Sequence, residues 1–186
     1  EGVLKELNEK INNEILYIPN IVHSSVPIGK DSASNKIIKE WGQKPSFSFS
    51  LKNHIELLDE LKLCDFKRAA KISGTGFPLY TGLGARLERA LINFMLDCHT
   101  DNHGYEEVFP PFLVNEISMT NTGQLPKFEE DMYNVKLDKL FCIPTAEVPI
   151  TNIHQGEILN EYDLPKSYVA YSACFRREAD NYNKET

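Results

Sequence analysis

Leu4, Leu7, Ile11, Ile15 and Ile18 recur every three or four residues among Lys, Glu and Asn. That is the spacing of one stripe on an amphipathic helix with a coiled-coil-like seam, and such a stripe needs a partner. Pro19 stops the helix, and the chain then runs through turn-forming residues (Ser24, Pro27, Gly29, Asp31, Gly42, Pro45) that predict an irregular linker. Ile55, Leu58 and Leu61, then Phe66, Ala69 and Ile72, predict one or two short helices before the turn Ser73-Gly74-Thr75-Gly76. Phe77 to Thr81 is short and aromatic and reads as a strand feeding the turn at Gly82 and Gly84. The clearest amphipathic helix follows, with Leu83, Leu87, Leu91, Phe94, Met95 and Cys98 on its apolar face and Gly104 placed to end it. Tyr105 to Val114 alternates as a strand whose end meets Pro110-Pro111 at an edge or bend. Asn115 to Asp131 is polar and predicts a loop or short helices, and Leu137 to Ile143 predicts a second short strand. Tyr168 to Glu178 alternates strictly, sending Val169, Tyr171, Ala173 and Phe175 to a core face and Ala170, Ser172, Cys174, Arg176 and Glu178 to the other.

Composition narrows the class. With 186 residues, 41% of them hydrophobic and 25% charged, the chain suits one compact domain plus a small appendage, which excludes a disordered chain or a fibre. Lys and Arg number 20 against 27 Asp and Glu, a net charge of -7, so no basic block coats a nucleic acid by charge alone and any such contact is local. Cys64, Cys98, Cys142 and Cys174 are widely spaced without a CxxC pair, which fits reduced thiols better than zinc or a disulfide framework and makes the cytoplasm the default compartment. No apolar run approaches the roughly 20 residues of a membrane span. The chain begins at Glu1, as a piece of something longer would.

Four places carry candidate chemistry. The Gly-x-Gly steps lack the Lys of a phosphate loop and the dinucleotide-binding spacing, so they read as turns. His99 and His103 stand four apart at a helix end, where a ligand pair competes with simple placement near the negative pole of the helix; no third ligand is evident and no metal site is assigned. Arg176 and Glu178 share a strand face with small neighbours, so they form either a cross-strand charge pair or a site in which the guanidinium fork holds a phosphate and the carboxylate accepts from an amino group. Arg177 falls on the opposite face. Thr145 and Glu147, flanked by Pro144 and Pro149, form a stiffened hydroxyl–carboxylate pair suited to a small amino group, or else a plain surface turn.

At these residues the chain resembles the bacterial-type seryl-tRNA synthetases. The phrases are Ile143-Pro-Thr-Ala-Glu-Val-Pro-Ile-Thr151 and Tyr168-Val-Ala-Tyr-Ser-Ala-Cys-Phe-Arg-Arg-Glu-Ala179, joined by Ile18-Pro-Asn20, Val26-Pro-Ile-Gly29, Gly84-Ala-Arg-Leu-Glu-Arg-Ala-Leu91, Gly104 to Asn115 and Thr122 to Asp131. The resemblance implies an α+β class II fold, an antiparallel sheet flanked by helices. Residues 1–18 would end a helical hairpin that grips tRNA, 19–46 would be a linker, and 47–186 an incomplete catalytic domain lacking motif 3. It implies a serine–tRNA ligase that uses ATP and Mg²⁺, with serine and tRNA(Ser) as substrates, acting as a cytoplasmic homodimer with no membrane association. By the same resemblance Thr145, Ala146 and Glu147 bind serine. Arg176, Arg177 and Glu178 bind ATP, with Arg176 on the α-phosphate as the catalytic charge and Glu178 near the adenine amino group. The helix from Leu83 and the strand ending at Pro111 look like motif 1, the dimer interface. After Ala179 the family pattern breaks, as if a stretch were deleted before Asp180. The alternatives are a synthetase-like ligase charging a carrier protein, or an inactive folding or dimerisation fragment.

Overall fold

The computed structural model describes residues 2–177, which divide after Leu57 into two compact units. In the first unit α1 spans Gly2–Ile15, so Ile18 lies past the helix end in an i→i+3 turn (Ile18 N–H to the Ile15 carbonyl, 3.2 Å) instead of completing the stripe. Every described residue of this unit is exposed, Leu4, Leu7, Ile11 and Ile15 included, so its order rests on local hydrogen bonds. Helix α2 (His54–Glu60), which the division crosses, starts with one such set: Asn53 Oδ1 accepts from the Glu56 N–H (2.9 Å) and Glu56 Oε2 from the Asn53 N–H (2.8 Å). This reciprocal cap satisfies two of the donors that a helix start leaves orphaned.

The second unit is built on helices and small sheets, the expected α+β class. Helix α3 (Phe66–Ser73) is capped by Asp65, whose Oδ1 accepts from the Arg68 N–H at 2.8 Å. That bond, then the Arg68 guanidinium paired with the same carboxylate, holds Asp65 below the usual carboxylate range. The strand expected over Phe77–Thr81 is instead a single bridge between Cys64 and Tyr80, flanked by Asp65 N–H to the Leu79 carbonyl (2.8 Å) and Thr81 N–H to the Leu63 carbonyl (3.0 Å). Gly82 turns the chain at φ +51 into α4 (Leu83–His103), the expected helix, which Gly104 ends in the left-handed conformation.

Gly84 lies where α4 crosses residue 63, and a Cβ there would stand 2.0 Å from the Leu63 carbonyl oxygen and 2.8 Å from its carbon. Both atoms are backbone and cannot rotate away. Gly84→Ala is therefore expected to destabilise the protein by about 1–3 kcal/mol, as over-packing typically does, which a lowered midpoint in thermal unfolding would register. An unchanged midpoint would mean that the 63–65 segment yields freely.

The expected strand over Tyr105–Val114 is two strands in two sheets, because Pro110 and Pro111 interrupt backbone donation between them. Strand β1 (Glu106–Glu107) pairs in parallel with β5 (Tyr168–Val169), and β2 (Leu113–Asn115) joins an antiparallel sheet, beside β4 (Leu140–Cys142), which pairs on its other side with β3 (Asn134–Val135). The expected strand over Leu137–Ile143 is likewise shorter: β3 (Asn134–Val135) turns through Lys139 at φ +56 into β4 (Leu140–Cys142). Register sets Val114 opposite Phe141. Helix α5 (Glu116–Asn121), capped by Asn115, covers this sheet, and Val114, Met119, Leu125, Met132, Phe141, Ile143 and Val148 form the buried core. The core thus sits directly beneath the turn after β4.

Candidate functional site

Strand β4 leads into the site. Ile143, fully buried, donates its N–H to the Phe112 carbonyl (2.9 Å), while its own carbonyl accepts from the Phe175 N–H (2.9 Å). The segment is therefore held from both sides before it turns at Pro144-Thr145-Ala146. Beyond the turn the chain becomes helical. Glu147 opens a short helix, α6 (Glu147–Thr151), with Pro149 buried in its first turn, where a missing N–H costs no intrahelical bond. Val148 and Pro149 anchor it in the core, Thr145 and Ala146 are half-buried, and Glu147 is exposed. The Thr145 hydroxyl accepts from the Glu147 N–H at 3.4 Å, which ties the two candidate side chains to one turn.

Arg176 comes to the same turn from the other end of the unit. Its Nε donates to the Pro144 carbonyl at 3.1 Å, so the terminal nitrogens of the fork are left to meet something else. Arg177 goes elsewhere: its N–H donates to the Asp131 carbonyl (2.9 Å) and its Nη1 to the Glu130 carbonyl (3.2 Å), which fastens it to the acidic turn Glu129–Asp131. The two arginines do diverge, but not through a long strand. Regular pairing stops at Val169, Tyr171 is exposed, and no residue from 168 to 177 is fully buried, so the predicted continuous core face is absent. Isolated bonds such as Phe175 N–H to the Ile143 carbonyl place these residues instead. Glu178 lies outside the described residues. Pro111 is exposed between β1 and β2, beside buried Pro110.

His99 and His103 face one another, Nδ1 to Nδ1 at 3.1 Å, with the Tyr105 ring edge-on to His99. Among the described residues no group of three or more His, Cys, Asp or Glu is placed to hold a metal ion. Two groupings escaped the sequence. His154 bonds Glu157 through Nδ1 (2.9 Å) and the Tyr168 hydroxyl through Nε2 (2.8 Å), and Asn152 bridges α5 and α6. Only the i,i+3 spacing of His154 and Glu157 was visible in advance, because the other partners are distant in sequence.

A family model for the tRNA synthetase class II core domain (G, H, P, S and T) matches residues 128–185. The serine–tRNA ligase of a Geobacillus species is 55% identical over 98% of this chain and 43% of its own length. That of Pelodictyon phaeoclathratiforme is 57% identical over 98% of this chain and 43% of its own. Among solved structures, seryl-tRNA synthetase from Pyrococcus horikoshii complexed with ATP superposes with a TM-score of 0.91 at 35% identity, over 100% of this chain and 46% of that one. Cytoplasmic serine–tRNA ligase from Naegleria fowleri in complex with AMP gives 0.86 at 26% identity. The chain thus spans less than half the length of these relatives, and the class II α+β fold expected from the sequence is the fold it has.

Proposed function

Because nearly the whole chain matches part of the seryl-tRNA synthetases, we propose that it is a portion of a serine–tRNA ligase, which activates serine with ATP and transfers it to tRNA(Ser). In that reaction a serine carboxylate oxygen attacks the α-phosphorus of ATP. A P–O bond forms, the bond to the leaving oxygen breaks, and pyrophosphate departs with its electron pair. The serine acyl group of the resulting seryl-adenylate then passes to the terminal ribose of tRNA(Ser). One observation carries the reading: Arg176 Nε on the Pro144 carbonyl sets an anion-binding fork against the turn bearing Thr145, Ala146 and Glu147. A cation for the phosphate and a hydroxyl–carboxylate pair for the ammonium group of serine then lie side by side. This reaction needs alignment and charge stabilisation more than proton transfer. A site lined to hydrogen-bond a hydroxyl also rejects an amino acid lacking it.

In this reading Arg176 meets the α-phosphate, and Glu178 belongs near the adenine amino group. Arg177, assigned to ATP by resemblance, is committed to the 130–131 carbonyls and acts on the nucleotide only by holding that turn. Mg²⁺ enters as the counter-ion of the ATP phosphates, and the described residues give it no ligand cluster. Residues 1–18 serve as the end of a tRNA-gripping hairpin, 19–46 as linker and 47–186 as catalytic portion. The exposed α4 face of Leu83, Leu87, Leu91, Phe94 and Met95, with the segment ending at Pro111, is the surface for a homodimer. No helix among the described residues is long and apolar enough to cross a membrane; the cytoplasm is the compartment this reading implies.

ATP–pyrophosphate exchange with a panel of amino acids on the full-length protein tests the reading. Serine is expected to support exchange far above alanine, threonine or glycine. Faster exchange with any other amino acid, or a serine-dependent exchange that never charges tRNA(Ser), overturns it.

A further inference from the structure

Helix α6 has five residues, too few to stand unaided, since a helix of that length costs more to nucleate than its few bonds return. Its first residue is Glu147 and its C-cap is Asn152. The Asn152 side chain is half-buried, with its nitrogen and its oxygen both engaged. Its Nδ2 donates to the Val148 carbonyl of its own helix (2.9 Å) and to the Ser118 carbonyl of α5 (3.0 Å), and its Oδ1 accepts from Asn121 Nδ2 (2.9 Å). Helix ends leave carbonyls without intrahelical partners, and here one amide answers for two helices at once. The Ser118 carbonyl also accepts from the Thr122 hydroxyl at 3.0 Å, so the α5 end of the bridge is itself fixed. Asn121, donating to Oδ1, decides which way the amide points and keeps its NH₂ on the two carbonyls.

We propose that Asn152 is the positioning residue of the amino-acid pocket, an amide brace that locks α6 to α5 and thereby fixes Glu147 and the Thr145 turn; this rests on the reading of Glu147 as a serine contact. Buried Val148 and Pro149 hold α6 in the core, but apolar contacts are non-directional and fix its rotation about the helix axis only loosely. The directional bonds of Asn152 remove that freedom. A carboxylate at this position would turn an acceptor toward two carbonyls, so Asp is expected to do more harm than Ala.

The test uses the full-length protein with Asn152→Ala, Asn152→Asp and Asn121→Ala, and Glu147→Gln run beside them. In ATP–pyrophosphate exchange, Asn152→Asp is expected to raise the KM for serine roughly tenfold or more, Asn152→Ala somewhat less and Asn121→Ala about two- to threefold, with the KM for ATP nearly unchanged. Amide hydrogen exchange over 147–151 is expected to quicken in the same order. Serine and ATP KM rising together, or native exchange over 147–151 in Asn152→Ala, overturns the brace. If the Asn152 variants do not fold, Asn121→Ala decides alone, and an unchanged serine KM with unchanged amide exchange there counts against the proposal. If Glu147→Gln leaves the serine KM untouched, the reading of Glu147 falls separately, and the brace is judged by amide exchange.

Discussion

Arg176→Ala in the full-length protein is expected to slow adenylate formation by roughly two or more powers of ten, the usual cost of deleting one preorganised charge donor from a transition state. The expectation rests on geometry: the Nε bond to the Pro144 carbonyl aims the fork beside the Thr145 turn. Arg177→Ala should do much less to the adenylation rate, because its Nη1 and backbone N–H hold it on the Glu130 and Asp131 carbonyls instead of the Pro144 turn. It should instead lower the unfolding midpoint. Single-turnover adenylate formation separates the two, and equal losses of rate in both variants would refute the assignment.

Glu147→Gln and Thr145→Val are expected to raise the KM for serine by roughly tenfold or more, while the KM for ATP changes little. A hydrogen bond to a charged group contributes about 1.5–3 kcal/mol; Thr145→Val removes one from the ammonium end of the substrate, and Glu147→Gln replaces a charged acceptor there by a neutral one. Glu147 is exposed at the opening of α6, so its exchange for an isosteric amide leaves packing untouched and isolates the charge. Thr145→Val keeps the branched shape and deletes only the hydroxyl that accepts from the Glu147 N–H. Steady-state exchange with each substrate varied in turn decides the matter. A fall in ATP affinity with serine affinity intact would mean that these two side chains have been given the wrong ligand.

Whatever depends on neighbours within a turn or two could be read from the residues. The apolar spacing from Leu83 gives α4, Gly104 ends it because a glycine takes the left-handed cap without strain, and the Thr-Ala-Glu and Phe-Arg-Arg-Glu phrases mark the site we propose. The asparagine–glutamate cap of α2 is equally local. Tertiary structure alone decided how those pieces meet. The Tyr105–Val114 run is split between two sheets because β1 finds its partner at Tyr168 and β2 at Cys142, both far along the chain. The Tyr168–Arg177 run alternates as a strand should, yet no ladder partners it past Val169, so alternation did not become a two-faced sheet. Glu147 begins a helix because Val148 and Pro149 reach the core and Asn152 reaches Ser118, contacts that no local preference encodes. The separation of Arg176 from Arg177 was visible as opposite faces. Their destinations, Pro144 and the 130–131 turn, lie 32 and 47 residues away, and only closing those loops assigns each guanidinium its partner.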